Sequence, residues 1–359
     1  MFKKITVFVL LVCLVLSFAA CGSKDGPETD SGKAQSQQTE SLKQETEQET
    51  EGESETAAQT PAQIKVAGLK GPTTMGIVHL KDKAEKETLF DTYTFTMATQ
   101  ADEVAAALIT GNVDIALIPA NLAAVVYQKS SQGIAVVDIN TAGVLYCVTG
   151  RDDIKGIKDL AGKTVILTGQ GTTPEYSLRY LLAQNQVDDC TLEFKSEATE
   201  VAAALAADAN QIAVLPQPFA TVAQVQNSAL KEAFSLESEW NKLGLDSKLL
   251  TGVTVVRRAF FEEHPDAVAR FLALHEESAK AALEDVAATA ELVAANGIIE
   301  KAPIAQKALP ECAICCVYGQ EMKAALSGYL QVLFDQNPAS VGGQMPGENF
   351  YLASLTPEK

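Results

Sequence analysis

Residues 163–182 have the sequence KTVILTGQGTTPEYSLRYLL, in which a short apolar strand is followed by a glycine-rich turn and a helix. The strand covers residues 164–167, and Thr173 is expected to cap the helix with Pro174 in its first turn. Such a turn leaves backbone N–H groups and threonine hydroxyls beside the positive end of a helix dipole. The stretch therefore predicts half of a binding site for a small polar ligand.

The same order of strand, turn and helix recurs along the chain. Strands are predicted at residues 64–69, 90–97, 113–118, 134–137, 144–148, 190–194, 212–215 and 251–256, with an irregular segment over 230–250. This alternation predicts an α/β fold with mostly parallel sheets flanked by helices. Ligands of such sheets bind beyond the carboxyl ends of the strands. Four polar turns lie at such ends, at residues 71–75, 119–121, 169–173 and 216–218.

The acidic composition of the chain bears on whether it binds nucleic acid. The chain has 28 Lys and Arg residues against 46 Asp and Glu residues, and its formal net charge is −18. Nucleic-acid binding requires clustered cations, so no nucleic-acid partner is expected.

The first twenty residues have the pattern of a signal peptide. Lys3 and Lys4 precede an apolar stretch over residues 5–18, and Ala19 and Ala20 precede Cys21. Phe18-Ala-Ala-Cys21 resembles the lipobox of bacterial lipoproteins, which usually has Leu where this chain has Phe. The resemblance implies that Cys21 is lipidated and anchors the mature protein outside the membrane, as in a Gram-positive-type bacterium. The alternative is an ordinary signal peptide with an incidental cysteine.

Residues 22–63 are predicted to be a disordered linker. They contain ten acidic residues, three lysines and a single large apolar side chain, Leu42. Nothing in this segment can offset the entropy of ordering, and its charges repel one another. The segment is expected to hold a globular domain away from the membrane surface.

The four turns resemble those of the type II periplasmic-binding-protein family. The similarity is greatest to the branch of ABC-transporter solute-binding proteins that includes the sulfonate, nitrate and thiamine-precursor binders. The matching segments are GPTTMG at 71–76, GNVDIA at 111–116, GTTPEY at 171–176 and LPQPFA at 215–220, supported by residues 157–165 and 255–265. The resemblance covers nearly all of residues 64–335.

This resemblance implies a fold of two lobes joined by two hinge strands, which close around a ligand. The first lobe would comprise residues 64–150 and the second 151–250, with 251–359 returning to the first lobe and adding C-terminal helices. The hinge crossings are expected near Gly150 and near Thr251. The protein would be a monomer and would need no cofactor. It would deliver a small molecule to the permease subunits of an ABC importer.

The expected ligand contacts are the polar residues of the four turns. They are Thr73, Thr74, Met75, Asn121, Gln170, Thr172, Thr173 and Gln217. Two ligand classes remain open, a sulfonate-like oxyanion and a thiamine-pyrimidine-like heterocycle. Glu175 would disfavour an anion if it faced the cleft, but a carboxylate is also favoured in a first helical turn by the dipole.

The remaining cysteines leave a second class of function open. After Cys13 and Cys21, five cysteines remain, of which Cys312, Cys315 and Cys316 lie close together. The first interpretation of this cluster is that the cysteines are buried apolar residues on a strand near a sheet edge, and the second is a disulfide. Iron or zinc binding comes last, because His264 and His275 are distant in sequence. The alternatives to an importer subunit are thus a metal-dependent enzyme that uses these three cysteines and a ligand-sensing subunit of a membrane receptor. No catalytic residues are predicted, and the role of Trp240 is open.

Overall fold

The computed structural model describes residues 60–355, so Cys21 and the linker up to Gln59 lie outside the described part of the chain. The strands are β1 Gln63–Leu69, β2 Thr92–Ala98, β3 Ile115–Pro119, β4 Ile134–Ala142, β5 Leu145–Thr149, β6 Thr164–Leu167, β7 Thr191–Phe194, β8 Ile212–Pro216, β9 Lys231–Ser235, β10 Leu250–Arg257 and β11 Ile314–Tyr318. The helices are α1 Pro72–Met75, α2 Val78–Lys86, α3 Ala101–Ile109, α4 Ala120–Lys129, α5 Thr173–Gln184, α6 Ala198–Ala207, α7 Phe219–Gln226, α8 Leu236–Asn241, α9 Arg258–Glu263, α10 Pro265–Glu284, α11 Val286–Ala295, α12 Ala302–Ala308 and α13 Gly319–Gln336.

The strands form two sheets flanked by helices. One has six strands in the order β11-β4-β10-β3-β1-β2, and the other has five in the order β7-β6-β8-β5-β9. Strand β3 is buried along its whole length, as expected for a strand covered by helices on both faces. The predicted α/β architecture is confirmed.

The sheets are mixed, which corrects the prediction that they are mostly parallel. Strand β1 pairs in parallel with β2 and β3, and β6 pairs in parallel with β7 and β8. The pairs that involve β5 and β10 are all antiparallel, as is the pair of β11 with β4. The parallel pairs come from local strand–helix–strand units, whereas β5 and β10 enter a sheet directly after the chain has left the other one.

The chain passes between the two sheets twice. It leaves the six-stranded sheet at Ala142 and enters the five-stranded sheet at Leu145, before the crossing expected near Gly150. It returns in β10 at Leu250, beside the crossing expected near Thr251. The segment predicted to be irregular over 230–250 contains α8 and β9, and β9 is an edge strand of the five-stranded sheet.

The single tryptophan lies in the core. Trp240 is fully buried, and its ring centroid lies 4.9 Å from that of Tyr180 and 5.7 Å from that of Tyr329 on α13. Its Nε1–H donates to the carbonyl of Ser247 at 3.0 Å. Trp240 therefore packs α8 against α5 and α13.

Asp114 ties three neighbouring strands together. Its Oδ2 accepts from the backbone N–H of Lys65 at 3.0 Å, and its Oδ1 pairs with the Arg257 guanidinium at 2.7 Å. The acidic residue of the GNVDIA segment thus fixes the register of β1, β3 and β10. Among residues 60–355, no helix has both the length and the apolarity that a membrane span requires.

Candidate functional site

A cavity of about 1040 Å³ lies between the two sheets. The turn before α1 lines it on the side of the six-stranded sheet, and the turn before α5 lines it on the side of the five-stranded sheet. Both turns follow the carboxyl ends of parallel strands, β1 and β6. The position is the one that open α/β sheets use for ligands.

Several helices begin at the wall of this cavity. The first residues or the N-cap residues of α3, α4, α5 and α6 line it, as do those of the shorter α1 and α12. None of these six helices is capped by the side chain of its N-cap residue. The N-cap side chains of α2, α9, α10 and α13, which begin elsewhere, also form no cap, whereas α8 and α11 are capped by Ser235 and Asp285. The positive ends of several helix dipoles are therefore directed at one space.

The glycine-rich turn that precedes α5 is held by its own side chains. Thr172, and not Thr173 as predicted, is the N-cap residue, because its backbone is extended (φ −125°, ψ −176°) and helical geometry begins one residue later. The Thr172 hydroxyl donates to the carbonyl of Gly169 at 2.8 Å. Gly169 and Gly171 have φ angles of 75° and 73°, which glycine adopts without strain.

The carboxylate of Glu175 is hydrogen-bonded within this turn and to the helix that follows it. Its Oε2 accepts from the Gly171 N–H at 2.7 Å, and its Oε1 accepts from Arg179 Nε at 2.7 Å. Glu175 does not line the cavity. These contacts favour the interpretation that the carboxylate stabilises the first turn of the helix. Since Glu175 is not on the cavity wall, it gives no reason to disfavour an anionic ligand.

Four of the eight expected contact residues line the cavity, namely Thr73, Gln170, Thr172 and Thr173. Gln170 is exposed, whereas the three threonines are buried. Thr173 donates long hydrogen bonds of 3.4 Å to Asn121 Oδ1 and to the carbonyl of Thr251. The hydroxyls of Thr73 and Thr251, both on the cavity wall, are buried without a partner within the described residues.

The other four residues point elsewhere. Thr74 packs over Gly68, where an added Cβ would lie 2.5 Å from its hydroxyl oxygen, and Met75 is fully buried in the core. Gln217 was expected to point into the cleft between its two prolines. Its side chain instead donates to Glu232 at 2.8 Å and accepts from the Thr221 hydroxyl at 2.9 Å, and the nearby Pro216 and Phe219 line the cavity.

Asn121 on α4 links the six-stranded side of the cleft to the turn before α5. It is fully buried, and its amide donates to the carbonyls of Gly171 at 3.2 Å and Ser340 at 2.9 Å. The side chain therefore positions the turn before α5 and does not cap α4. Behind Thr173, burial raises the pKa of Tyr329 to about 12, so its hydroxyl remains neutral and available for hydrogen bonds.

The rest of the wall combines apolar and charged groups. The apolar residues include Leu69, Leu145, Phe194, Phe219, Ile298 and Ile304. Three lysines and three acids also line the cavity: Lys70, Lys195, Lys301, Asp102, Glu197 and Glu300. A hydrogen bond from Lys195 to Glu193 raises the pKa of the ammonium, which stays charged and is partly neutralised. Lys70 has no ion-pair partner within residues 60–355.

Two wall segments were not predicted. Residues 195–199 follow β7 and include the first two residues of α6, and the same strand–turn–helix pattern that marked the other turns could have identified them. Residues 297–304 join α11 to α12 and reach the cavity only through helix packing, so no local signal marks them.

The three clustered cysteines do not converge. Cys312 Sγ donates to the Ala308 carbonyl at 3.2 Å, and Cys315 Sγ donates to the Ile139 carbonyl at 3.4 Å. Cys315 packs against the core cluster that contains Ile139, whereas Cys316 packs against the other two core clusters, so the two thiols have different neighbours. All five cysteines within residues 60–355 are free thiols. The position of β11 at the edge of the six-stranded sheet agrees with the strand expected for this segment.

Residues 98–288 match the family model described as NMT1/THI5 like. The chain belongs to the NMT1/THI5-like family. A comparison with curated protein sequences gives no match.

Solved structures share the fold of this NMT1/THI5-like protein. An ABC transporter structure from Parabacteroides distasonis is 24% identical, with 82% of this chain and 99% of that chain covered and a TM-score of 0.67. The alkanesulfonate-binding protein SsuA from Xanthomonas axonopodis pv. citri bound to MOPS is 17% identical (81% and 96% covered, TM-score 0.62). The aliphatic sulphonate binding protein SsuA from Escherichia coli is 16% identical (78% and 89% covered, TM-score 0.62). These similarities show the two-lobed periplasmic-binding-protein fold.

Proposed function

We propose that this protein is the solute-binding subunit of an ABC importer, which binds one small organic anion in the cavity between its sheets and delivers it to a membrane permease. One observation carries the proposal: the uncapped N-termini of α3, α4, α5 and α6 meet at a single cavity. Free N–H groups and aligned dipoles stabilise negative charge at such a point. Membership of the NMT1/THI5-like family supports the same reading.

The lining favours a sulfonate-like oxyanion over a pyrimidine-like heterocycle. The three acids of the wall are matched by three lysines, of which Lys70 has no ion-pair partner within residues 60–355, and Glu175 is engaged with Gly171 and Arg179 outside the cavity. The apolar side chains on the wall suit a ligand that carries a small hydrocarbon group beside its charge. Thr73 and Thr251 would supply hydroxyl donors, because rotation about χ1 exchanges the positions of a threonine's hydroxyl and methyl groups.

Closure of the two lobes would complete the site. The chain crosses between the sheets at residues 143–144 and again before Leu250, and small rotations at these points would bring the turns before α1 and α5 together. A ligand that contacts both turns binds the closed form more tightly and shifts the balance toward it. The cavity volume of about 1040 Å³ exceeds the needs of a small anion, as expected for a site that closes further.

The binding proposal is tested by a thermal-shift and calorimetric screen of the full chain against short alkanesulfonates, nitrate and aminopyrimidines. A ligand at a hundredfold excess over its Kd should stabilise the protein by about 2.7 kcal/mol. We expect an alkanesulfonate to bind and the pyrimidines not to. Binding of pyrimidines alone would reverse the choice of ligand class.

Two adjacent threonines provide a matched pair of variants for locating the site. Thr73 lines the cavity and Thr74 does not, although the hydroxyls of both are buried without a partner. Thr73→Val should weaken ligand binding roughly tenfold, as expected for one lost hydrogen bond to a charged group. Thr74→Val should leave the affinity unchanged. Equal effects of the two substitutions would mean that the ligand binds elsewhere.

We further propose that Cys21 is lipidated and tethers the domain to the outer face of the cell membrane through the acidic linker. The sequence Phe18-Ala-Ala-Cys21 behind an apolar segment supports this proposal. Cys21→Ser, or inhibition of lipoprotein signal peptidase, should release the protein from the membrane fraction. Unchanged membrane association of Cys21→Ser would disprove the anchor without affecting the ligand-binding proposal.

The enzyme and sensor alternatives make different predictions. The divergence of Cys312, Cys315 and Cys316 argues against an enzyme built on that cluster. A sensor would bind the same ligand without supporting uptake. Ligand-dependent stimulation of a partner permease's ATPase activity in proteoliposomes would favour the importer.

A further inference from the structure

A second group of chemically reactive side chains lies apart from the ligand cavity. Asp138 on β4, His275 on α10 and Cys316 on β11 each place one oxygen, nitrogen or sulfur atom within 4.8 Å of the others. None of the three residues lines the cavity. Asp138 and His275 are completely buried, whereas Cys316 on the edge strand is partly exposed.

The polar atoms of this group are only partly satisfied. His275 Nδ1 lies 3.1 Å from Asp138 Oδ2, and the Thr254 hydroxyl donates to Asp138 Oδ1 at 2.9 Å. His275 Nε2 is buried without a hydrogen-bond partner in the described part of the chain. Within that part, His275 is the only ion-pair partner of the buried Asp138 carboxylate. A buried carboxylate whose one ion-pair partner is an imidazole is costly unless another positive group completes the site.

Of the three clustered cysteines, Cys316 is the one that lies beside both Asp138 and His275. Cys315 donates to the carbonyl of Ile139 and packs against a different core cluster from Cys316, and Cys312 donates to the carbonyl of Ala308. Of the three cysteines, Cys316 is the one that belongs to a group of three possible ligand atoms in the described part of the chain, and the imidazole in that group comes from a helix distant in sequence. The group therefore arises from tertiary packing and has no sequence motif.

We propose that Asp138, His275 and Cys316 bind one divalent transition-metal ion of the zinc class. A thiolate, an imidazole and a carboxylate are the ligand types that zinc prefers, and three protein ligands leave a fourth position for water. The negative charges of the carboxylate and the thiolate balance the dication, and the thiol proton is released on binding. A tetrahedral ion would draw the ligand atoms together by up to about 1 Å. Thr254 acts as a positioning residue that orients the Asp138 carboxylate.

Cobalt(II) serves as the spectroscopic probe, because thiolate ligation gives an intense charge-transfer band in the near ultraviolet. Purified full chain freed of metal by a chelator is titrated with CoCl2 and then with ZnCl2. The expected result is a band that saturates at one Co²⁺ per chain and disappears when Zn²⁺ displaces it. Absence of the band, or saturation only at several equivalents, overturns the proposal.

The adjacent cysteines provide matched variants. Cys316→Ser should abolish the band, and Cys315→Ser should retain it because the Cys315 thiol is engaged with the Ile139 carbonyl. Cys13 and Cys21 are present in both variants, so any contribution from them cancels. Thr254→Val should weaken Co²⁺ binding by about 10–100-fold with the band retained. Loss of the band in Cys315→Ser with its retention in Cys316→Ser would assign the metal to a different site.

One measurement needs no substitution and remains informative if a variant does not fold. The wild-type protein is alkylated with iodoacetamide with and without Zn²⁺, and the labelled cysteines are mapped by mass spectrometry. Zn²⁺ should slow labelling of Cys316 and leave that of partly exposed Cys190 unchanged. Equal labelling of Cys316 in both conditions contradicts thiolate ligation.

Discussion

The two adjacent threonines of α1 give a prediction about the ligand-free protein. Thr73 Oγ1 and Thr74 Oγ1 are both buried and have no hydrogen-bond partner within residues 60–355. A buried hydroxyl without a partner costs about 1–3 kcal/mol of desolvation. Valine has the same shape without the polar atom, so Thr73→Val and Thr74→Val should each raise the free energy of unfolding by about 1 kcal/mol. The melting temperature should rise by about 2 °C or more.

The assay is urea unfolding followed by tryptophan fluorescence, for which Trp240 is a suitable probe. It is the only tryptophan and is buried between Tyr180 and Tyr329. Thr289 is the control, because it is equally buried but its hydroxyl donates to the Asp285 carbonyl at 2.8 Å and lies 2.7 Å from His79 Nε2. Thr289→Val should destabilise the protein by about 1–3 kcal/mol. Destabilisation by Thr73→Val and Thr74→Val as large as that by Thr289→Val would contradict the absence of a hydrogen-bond partner for the two hydroxyls.

Three further predictions concern stability. Asn121→Ala should reduce the free energy of unfolding by about 2 kcal/mol in urea unfolding and weaken ligand binding, because the Gly171 carbonyl loses its side-chain donor; unchanged affinity would show that Asn121 does not position the turn. Arg270→Met should reduce the free energy of unfolding by about 3–5 kcal/mol in the same assay, because the substitution removes the bidentate partner of buried Asp91. A loss below about 1 kcal/mol would contradict this expectation. Burial raises the pKa of Glu237, so the folded state holds its proton more tightly than the unfolded state does, and stability falls as pH rises above the ordinary carboxyl range. Glu237→Gln should remove that fall in melting curves recorded between about pH 4 and pH 8, and an unchanged pH profile would exclude this contribution.

Most of the fold could be predicted because its signals are local. An apolar run, a turn with glycine or threonine, and an amphipathic segment recur over residues 64–222, and their order implies strands whose carboxyl ends meet at one edge. The strand preceding Thr168, the turn with Gly169 and Gly171, and the helix after it are all found where the sequence places them. The strand directions that were not predicted belong to β5, β10 and β11, whose partners come from distant parts of the chain.

The site was only partly predictable, and Gln217 shows why. Two prolines fix the backbone around it, but the direction of the side chain depends on Glu232 and Thr221, which reach it through the packing of β9 and α7. The wall formed by residues 297–304 likewise depends on where α11 and α12 pack.

The order of the elements, the polar turns and the resemblance to a family of binding proteins could be predicted, because they depend on residues close together in the chain. That Glu175 lies outside the cavity wall and that Cys316 lies beside His275 and Asp138 depends on the packing of distant segments. The reason is physical: periodicity and turn chemistry act over a few residues, whereas the partner of a buried polar group is whatever atom the packed chain brings within hydrogen-bond distance.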